Sequence, residues 1–242
     1  MDRRVELSLI LPCFNESGLF LESVSRITDV LDVSRLSYEI IFVDDNSADN
    51  TPTLIARAIA THKKRHLFRA IYHDKNVGRG KTVIDGIKAA KGTVVGYIDI
   101  DCEVDPVYIP GMVNRILHKN ADVVTGKRYY RSSPKAVIRE VLSRGYQWLS
   151  DVLIGTGGLD TETGYKFFSR KKILPILSKA TSPGWFWDTE IMVYAKRANL
   201  IILEVPVLFL RRFDKQSSVN IVKDTLDYVV RLIDFRRRLM KS

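Results

Sequence analysis

The chain has 242 residues, 45% hydrophobic and 27% charged, with a formal net charge of +10. This is ordinary globular composition, not that of a disordered chain, and the length suits one large-cored domain. The positive charge points to polyanionic partners: nucleic acid, anionic lipid or phosphorylated substrates. Two cysteines, Cys13 and Cys102, rule out a disulfide framework, and neither belongs to a Cys-x-x-Cys pair that would suggest zinc. They fit a reducing cytoplasm. The N-terminal apolar stretch is too short and interrupted for a secretory signal. The longest apolar run, Leu200 to Leu210, contains Glu204 and Pro206. It falls short of the roughly 18–20 apolar residues of a spanning helix.

The first half alternates strand and helix. Leu7 to Leu11 predicts a buried strand, and Ser17 to Val33 a helix with Leu21, Val24, Ile27 and Leu31 at helical spacing. Tyr38 to Val43 predicts a strand, and Asp49 to Pro52 the cap of a helix running through Ile59. Leu67 to Tyr72 is a strand, Gly80 to Ala90 a helix, Val94 to Ile98 a strand and Pro106 to His118 a helix. Val123 and Val124 lie in the next strand. This pattern predicts an α/β fold, a mostly parallel sheet flanked by helices. The second half is less regular. Val137 to Ile154 has an amphipathic pattern, Gly155 to Gly158 breaks it, and Gly164 to Phe168 is a strand. Asp188 to Ala198 is a helix, Ile201 to Phe209 a strand and Ile221 to Met240 a last helix. The expected organisation is a domain over 1–220 and a basic amphipathic C-terminal helix over 221–242.

In parallel sheets, ligands bind beyond the carboxyl ends of the strands. The polar clusters fall there. Asn15-Glu16 follows the first strand, Asp44 to Ser47 the second, Lys75 to Lys81 the third, Asp99 to Glu103 the fourth and Gly126 to Arg128 the fifth. Asp99, Asp101 and Glu103 supply hard oxygen ligands suited to Mg²⁺ or Mn²⁺, ions that commonly bind through one or two carboxylates plus substrate phosphates. An acidic turn closing a strand is the plain alternative. Arg79 and Lys81 either cap a helix or contact phosphate. Trp185 and Trp187 line a groove or fill the core. The four histidines show no ligand spacing. Arg236, Arg237, Arg238 and Lys241 fit a helix lying on anionic lipid.

Pro12-Cys13-Phe14-Asn15-Glu16, Val43 to Ser47 and Asp99-x-Asp101 resemble the family 2 glycosyltransferases of GT-A fold. Thr125 to Tyr129, Arg139 with Ser143, Asp160-x-x-x-Gly164 to Phe168, and Arg212 with Ser217 narrow the resemblance to the dolichyl-phosphate mannose and glucose synthases. It covers nearly the whole chain. It implies that Pro12, Asn15, Glu16 and Asp44 bind the nucleoside, and that Asp99, Asp101 and Glu103 hold the metal on the diphosphate; Lys81 and Asp99 join the expected nucleotide-sugar contacts. It implies that Arg128 sits beside sugar and phosphates, and that Arg139, Ser143, Arg212 and Ser217 grip the acceptor phosphate. Asp101, Arg128 and Arg212 become the catalytic candidates. Two positions depart from the pattern: Glu103 is usually Gln or another residue in the mannose synthases, and Ser218 stands where Lys often follows Ser217.

The expected reaction is inverting transfer of mannose or glucose from GDP-mannose or UDP-glucose to polyprenyl phosphate. A phosphate monoester has a second pKa of about 6, so it needs cations to aim it rather than a strong base. The expected enzyme is peripheral on the cytoplasmic face of a membrane, docked on anionic lipid or held by an anchoring partner. A glycan or other hydroxyl acceptor is the runner-up, with Asp188 or Glu190 as obligate base. A nucleic-acid module would leave the acidic strand end unexplained, and a nicotinamide enzyme lacks Gly-x-Gly-x-x-Gly after the first strand.

Overall fold

The computed structural model describes residues 4–130, 145, 147–210 and 221–241, with side chains in the last segment from Tyr228 onward. Seven strands form one sheet: β1 (Leu7–Cys13), β2 (Tyr38–Asp44), β3 (Phe68–Tyr72), β4 (Val94–Ile98), β5 (Val123–Tyr130), β6 (Tyr165–Ser169) and β7 (Ile202–Phe209). Their spatial order is β3-β2-β1-β4-β6-β5-β7. β1 to β4 run parallel to one another, β6 is antiparallel to β4 and β5, and β7 pairs parallel with β5. The helices are α1 (Phe20–Val33), α2 (Thr51–Thr61), α3 (Arg79–Ala89), α4 (Ile109–Leu117), α5 (147–154), α6 (Arg170–Leu177), α7 (Trp187–Arg197) and α8 (Ile221–Lys241).

The period-two geometry of strands divides the core into two layers. Leu7, Leu9 and Leu11 join Tyr38, Ile40 and Phe42 on the face covered by α1, α2 and α4. Ile10, Ile41, Val43, Val95 and Tyr97 join the face covered by α3, α6 and α7. Strands buried on both faces read as continuous apolar runs, which is why β1, β2 and β4 stood out in the sequence. A third cluster joins Leu232, Phe235 and Leu239 of α8 to Phe186, Val193 and Ile154. The C-terminal helix is therefore packed onto α7 rather than standing apart.

The differences from expectation have local causes. The helix expected from Pro106 opens as a 3-10 turn over Pro106–Tyr108, capped by Asp105, whose Oδ1 accepts the Val107 N–H at 2.8 Å. β5 continues to Tyr130 because each of its residues pairs with β7, from Val123 opposite Ile202 to Tyr130 opposite Phe209. α6 was not expected. Pro175 lies inside it, and a proline normally argues against a helix interior. Of the amphipathic stretch 137–154, only its C-terminal part lies within the described residues, where 147–154 is helical.

Candidate active site

The first two strand ends brace each other. Asn15 donates its N–H to Ser47 Oγ at 2.9 Å and accepts the Ala48 N–H at 2.8 Å. Ser47 donates both its hydroxyl (2.6 Å) and its N–H (3.1 Å) to the buried Asp44. Glu16 N–H reaches Thr51 Oγ1 at 2.8 Å. Asn15 and Asn46 take the left-handed conformation (φ 55° and 61°) that Asn tolerates better than most residues. Asn15, Glu16 and Asp44 are thus brought into one turn system, with Pro12 at the end of β1 opposite Val43. Asp45, unassigned in the sequence, organises the next loop. It accepts His73 Nδ1 at 2.8 Å and the N–H groups of Val77 and Gly78 at 2.9 and 2.8 Å.

Beyond β4, burial alternates. Ile100, Cys102 and Val104 are buried, while Asp99, Asp101 and Glu103 keep partial exposure. The segment is a turn, with Cys102 at φ 53°, and its apolar members are the ones buried while the three carboxylates face outward in part. Asp101 Oδ1 accepts the Glu103 N–H at 3.3 Å, and Glu103 O accepts the Leu210 N–H at 2.8 Å.

Asp99 is held by an ion pair. Arg79, near the start of α3, donates Nη2 and Nε to Asp99 Oδ1 at 2.6 and 3.1 Å. The other guanidinium nitrogen, Nη1, bonds Asp188 of α7. Asp188 also receives the Tyr97 hydroxyl and, at 3.1 Å, Lys166 Nζ. Lys166, Tyr97 and Asp188 are essentially inaccessible. Burial works against the Arg79 charge, but Asp188 and Asp99 outweigh it and raise its pKa. Burial lowers the Lys166 pKa, with Asp188 restoring part of the loss. Burial also raises the Asp99 carboxyl pKa, opposed by Arg79 and reinforced by Asp101. A Cβ at Gly164 would meet Asp99 Oδ2 and Arg79 Nη2, so a side chain there would have to displace this ion pair.

Arg128 is fixed at the end of β5. Its Nε and Nη2 bond Asp160 Oδ2 and Oδ1, each at 2.8 Å, and Nη2 also reaches Glu162 at 3.2 Å. Three of its five N–H groups are thereby used. Burial would raise the Asp160 carboxyl, yet Arg128 holds it below the usual range. Lys81 pairs with Asp85 one turn along α3. It also lines a cleft of about 300 Å³ with Lys88, Leu177 and Pro183, so its contacts are separate from those of Asp99. Arg139, Ser143, Arg212 and Ser217 lie outside the described residues.

Two carboxylates that sequence left open are now placed. Asp188 is not a helix cap but the centre of the ionic cluster. Glu190, fully buried, bonds Arg238 of α8 and accepts the Ser182 N–H at 2.9 Å. The tryptophans divide: Trp187 is core, and Trp185 is 68% exposed with its ring 4.4 Å from the Arg79 guanidinium carbon. Lys166 had no assigned role in the sequence reading. Its signal was a lysine between Tyr165 and Phe167 in a strand buried on both sides, where a cation requires a partner.

Among the described residues, no group of three His, Cys, Asp or Glu is arranged to hold a metal alone. Asp101 and Glu103 are partly exposed carboxylates, the hard oxygen donors that Mg²⁺ commonly takes one or two at a time together with phosphate oxygens. One oxygen of Asp99 is already committed to Arg79.

The Glycosyl transferase family 2 model matches residues 8–176, from β1 through most of α6 and across every strand end described above. The chain belongs to glycosyltransferase family 2. It is 29% identical over 226 residues to the glycosyltransferase AglD of Haloferax volcanii, which covers 92% of this chain and 35% of AglD. It is 28% identical over 227 residues to the dolichyl-phosphate beta-glucosyltransferase of Saccharomyces cerevisiae, covering 85% of this chain and 67% of that protein. The chain thus spans about a third of AglD's length and two thirds of the yeast enzyme's. Among solved structures, glucosyl-3-phosphoglycerate synthase of Mycobacterium tuberculosis with Mn²⁺, UDP and glucosyl-3-phosphoglycerate superposes with a TM-score of 0.65 at 22% identity, over 96% of this chain and 78% of that one. Mannosyl-3-phosphoglycerate synthase of Rubrobacter xylanophilus gives 0.71 at 18% identity, over 98% and 75%. These likenesses show the GT-A fold of the family 2 domain.

Proposed function

We propose that this family 2 enzyme is an inverting, metal-assisted hexosyltransferase that moves mannose or glucose from a nucleotide sugar to a polyprenyl (dolichyl) phosphate. The observation that carries this reading is the state of Asp188 and Glu190. A hydroxyl acceptor needs a general base within reach of its proton. Asp188 is 1% exposed and Glu190 0%, and each is bonded to an arginine. Such carboxylates serve structure better than proton abstraction, which speaks against the hydroxyl-acceptor alternative. An ionised phosphate monoester needs no base. The names of the similar yeast and Trichomonas vaginalis proteins, both dolichyl-phosphate beta-glucosyltransferases, support the same acceptor.

In this reading, Pro12, Asn15, Glu16 and Asp44 seat the nucleoside. Asp101 and Glu103, with Asp99 beside them, would hold Mn²⁺ or Mg²⁺, which when bound would supply Lewis-acid stabilisation of the departing nucleoside diphosphate. Arg128, anchored by Asp160, adds fixed positive charge where the leaving group develops negative charge. Arg139, Ser143, Arg212 and Ser217 aim the acceptor phosphate. Attack on the anomeric carbon from the far side inverts an α-linked donor to a β-linked product. The test is incubation of purified protein with polyprenyl phosphate, Mn²⁺ and either GDP-mannose or UDP-glucose. A β-linked hexosyl lipid phosphate from one donor is expected. An α-linked product, or none with either donor, would reject the reading.

The acceptor's hydrocarbon chain places the enzyme at a bilayer, and we assign it to the cytoplasmic face, on anionic lipid or beside a membrane-anchoring partner. No helix among the described residues is long and apolar enough to cross a membrane. α8 offers a surface instead: Val230, Ile233 and Met240 are exposed beside Arg236 and Arg237. Arg238 leaves the set of four cations because it is bonded to Glu190 and, at 2.8 Å, to Thr181. Each remaining cation contributes roughly 1 kcal/mol at an anionic surface. Replacing Arg236, Arg237 and Lys241 together with glutamine should markedly weaken flotation with phosphatidylserine vesicles at low salt. Flotation equal to that of the unaltered protein would reject α8 as the docking element.

A further inference from the structure

Asp99, Arg79, Asp188 and Lys166 form a chain of alternating charge, two carboxylates and two cations, from the strand-end acidic segment into the core. Its inner end is fixed. Lys166 is fully buried and also donates to Thr163 O, and the Tyr97 hydroxyl closes the Asp188 shell. Its outer end lies nearer solvent, the Asp99 side chain being 35% exposed and bonded to Arg79. Arg79 lies between them, flanked by the Tyr97 ring at 5.4 Å and the exposed Trp185 ring at 4.4 Å. The α3 backbone is held to the same unit, since Gly80 N–H donates to Pro183 O at 2.7 Å. A planar guanidinium fixed by a buried anion and two aromatic faces has one orientation, so it can dictate that of Asp99.

We infer that Asp188, backed by Lys166 and Tyr97, is a positioning residue for donor binding, acting through Arg79 to hold Asp99 in place beside Asp101. This gives Asp188 a role other than that of a base. The inference rests on the nucleotide-sugar reading of the site, but not on the identity of the acceptor. Removing the Asp188 charge frees the guanidinium to follow Asp99, and both lose their fixed position. Asp188→Asn and Arg79→Gln should therefore fail in the same way, and the second change should add little to the first.

The test is calorimetric binding of GDP and UDP with Mn²⁺, plus steady-state kinetics with the accepted donor, on Asp188→Asn, Arg79→Gln, their double variant and Trp185→Ala. Asp188→Asn and Arg79→Gln should each weaken the diphosphate and raise the donor KM about tenfold, with the double variant close to the worse single one. Trp185→Ala, which alters only an exposed ring, should shift binding the same way by about threefold. These affinity changes separate positioning from proton transfer. A base at Asp188 would lower kcat by roughly 100-fold or more, leave diphosphate affinity unchanged and multiply with Arg79→Gln. That pattern, or unchanged affinity in Arg79→Gln and Trp185→Ala, overturns the inference. If the unaltered protein bound neither diphosphate, the nucleotide-sugar reading itself would fall, and the inference with it.

Discussion

Asp101→Ala should lower transfer by at least about 100-fold at saturating donor while the fold survives. The size follows from losing charge stabilisation where the leaving diphosphate develops, a contribution in which one group commonly carries 10²–10³. The fold should survive because Asp101 is partly exposed and its buried neighbours, Ile100 and Cys102, anchor the segment without it. The bond that its Oδ1 accepts from the Glu103 N–H is long, at 3.3 Å. Glu103→Ala should act in the same direction, and its carbonyl bond to Leu210 would remain. Full activity of Asp101→Ala at saturating donor and Mn²⁺ would remove the metal assignment.

Arg238→Ala should destabilise the protein by about 1–3 kcal/mol, less than for a pair buried on both sides because the Arg238 side chain is 42% exposed while that of Glu190 is buried. Glu190 would be left fully buried with its Arg238 partner gone and one backbone N–H still bonded. Arg236→Ala and Arg237→Ala should each change stability by less than about 0.5 kcal/mol, as exposed substitutions usually do. Among the described residues Arg237 pairs with Asp234 at 3.5 Å, both side chains being more than 60% exposed, and such pairs contribute little. Three adjacent arginines thus divide into one structural residue and two surface residues. Urea unfolding of the three variants measures the contrast. Equal loss in all three would mean that the bond to Glu190 does not hold α8 in place.

The sheet was legible because its strands obey one rule. β1, β2 and β4 are buried on both faces, so each reads as a mainly apolar run, interrupted only by the mutually bonded Ser8 in β1 and Glu39 in β2, with polar residues following it. Those endings are where the sequence places the candidate site. Less visible were features depending on residues far apart in the chain. Nothing near Asp188 in sequence announces that Arg79 and Lys166, 109 and 22 positions away, converge on it. Asp45 was legible only as one of several carboxylates after β2. Its work of holding the loop at Val77 and Gly78 appears once β2 and β3 lie side by side. The basic C-terminus misled in one respect. A run of arginines on an amphipathic helix suggests a solvated cationic stripe, but helical rotation turns Arg238 toward a buried glutamate that sequence had considered as a base.

The central claim is that the acceptor nucleophile is a phosphate. It is tested most directly by offering the purified enzyme, with its working nucleotide sugar and Mn²⁺, two lipids of identical chain length: polyprenyl phosphate and the corresponding polyprenol. Labelled hexose should appear on the phosphate lipid alone, since the Asp188 and Glu190 carboxylates are bound to arginines and no other base is proposed to activate a hydroxyl. Transfer to polyprenol, or to a glycan hydroxyl in preference to the lipid phosphate, would contradict the account.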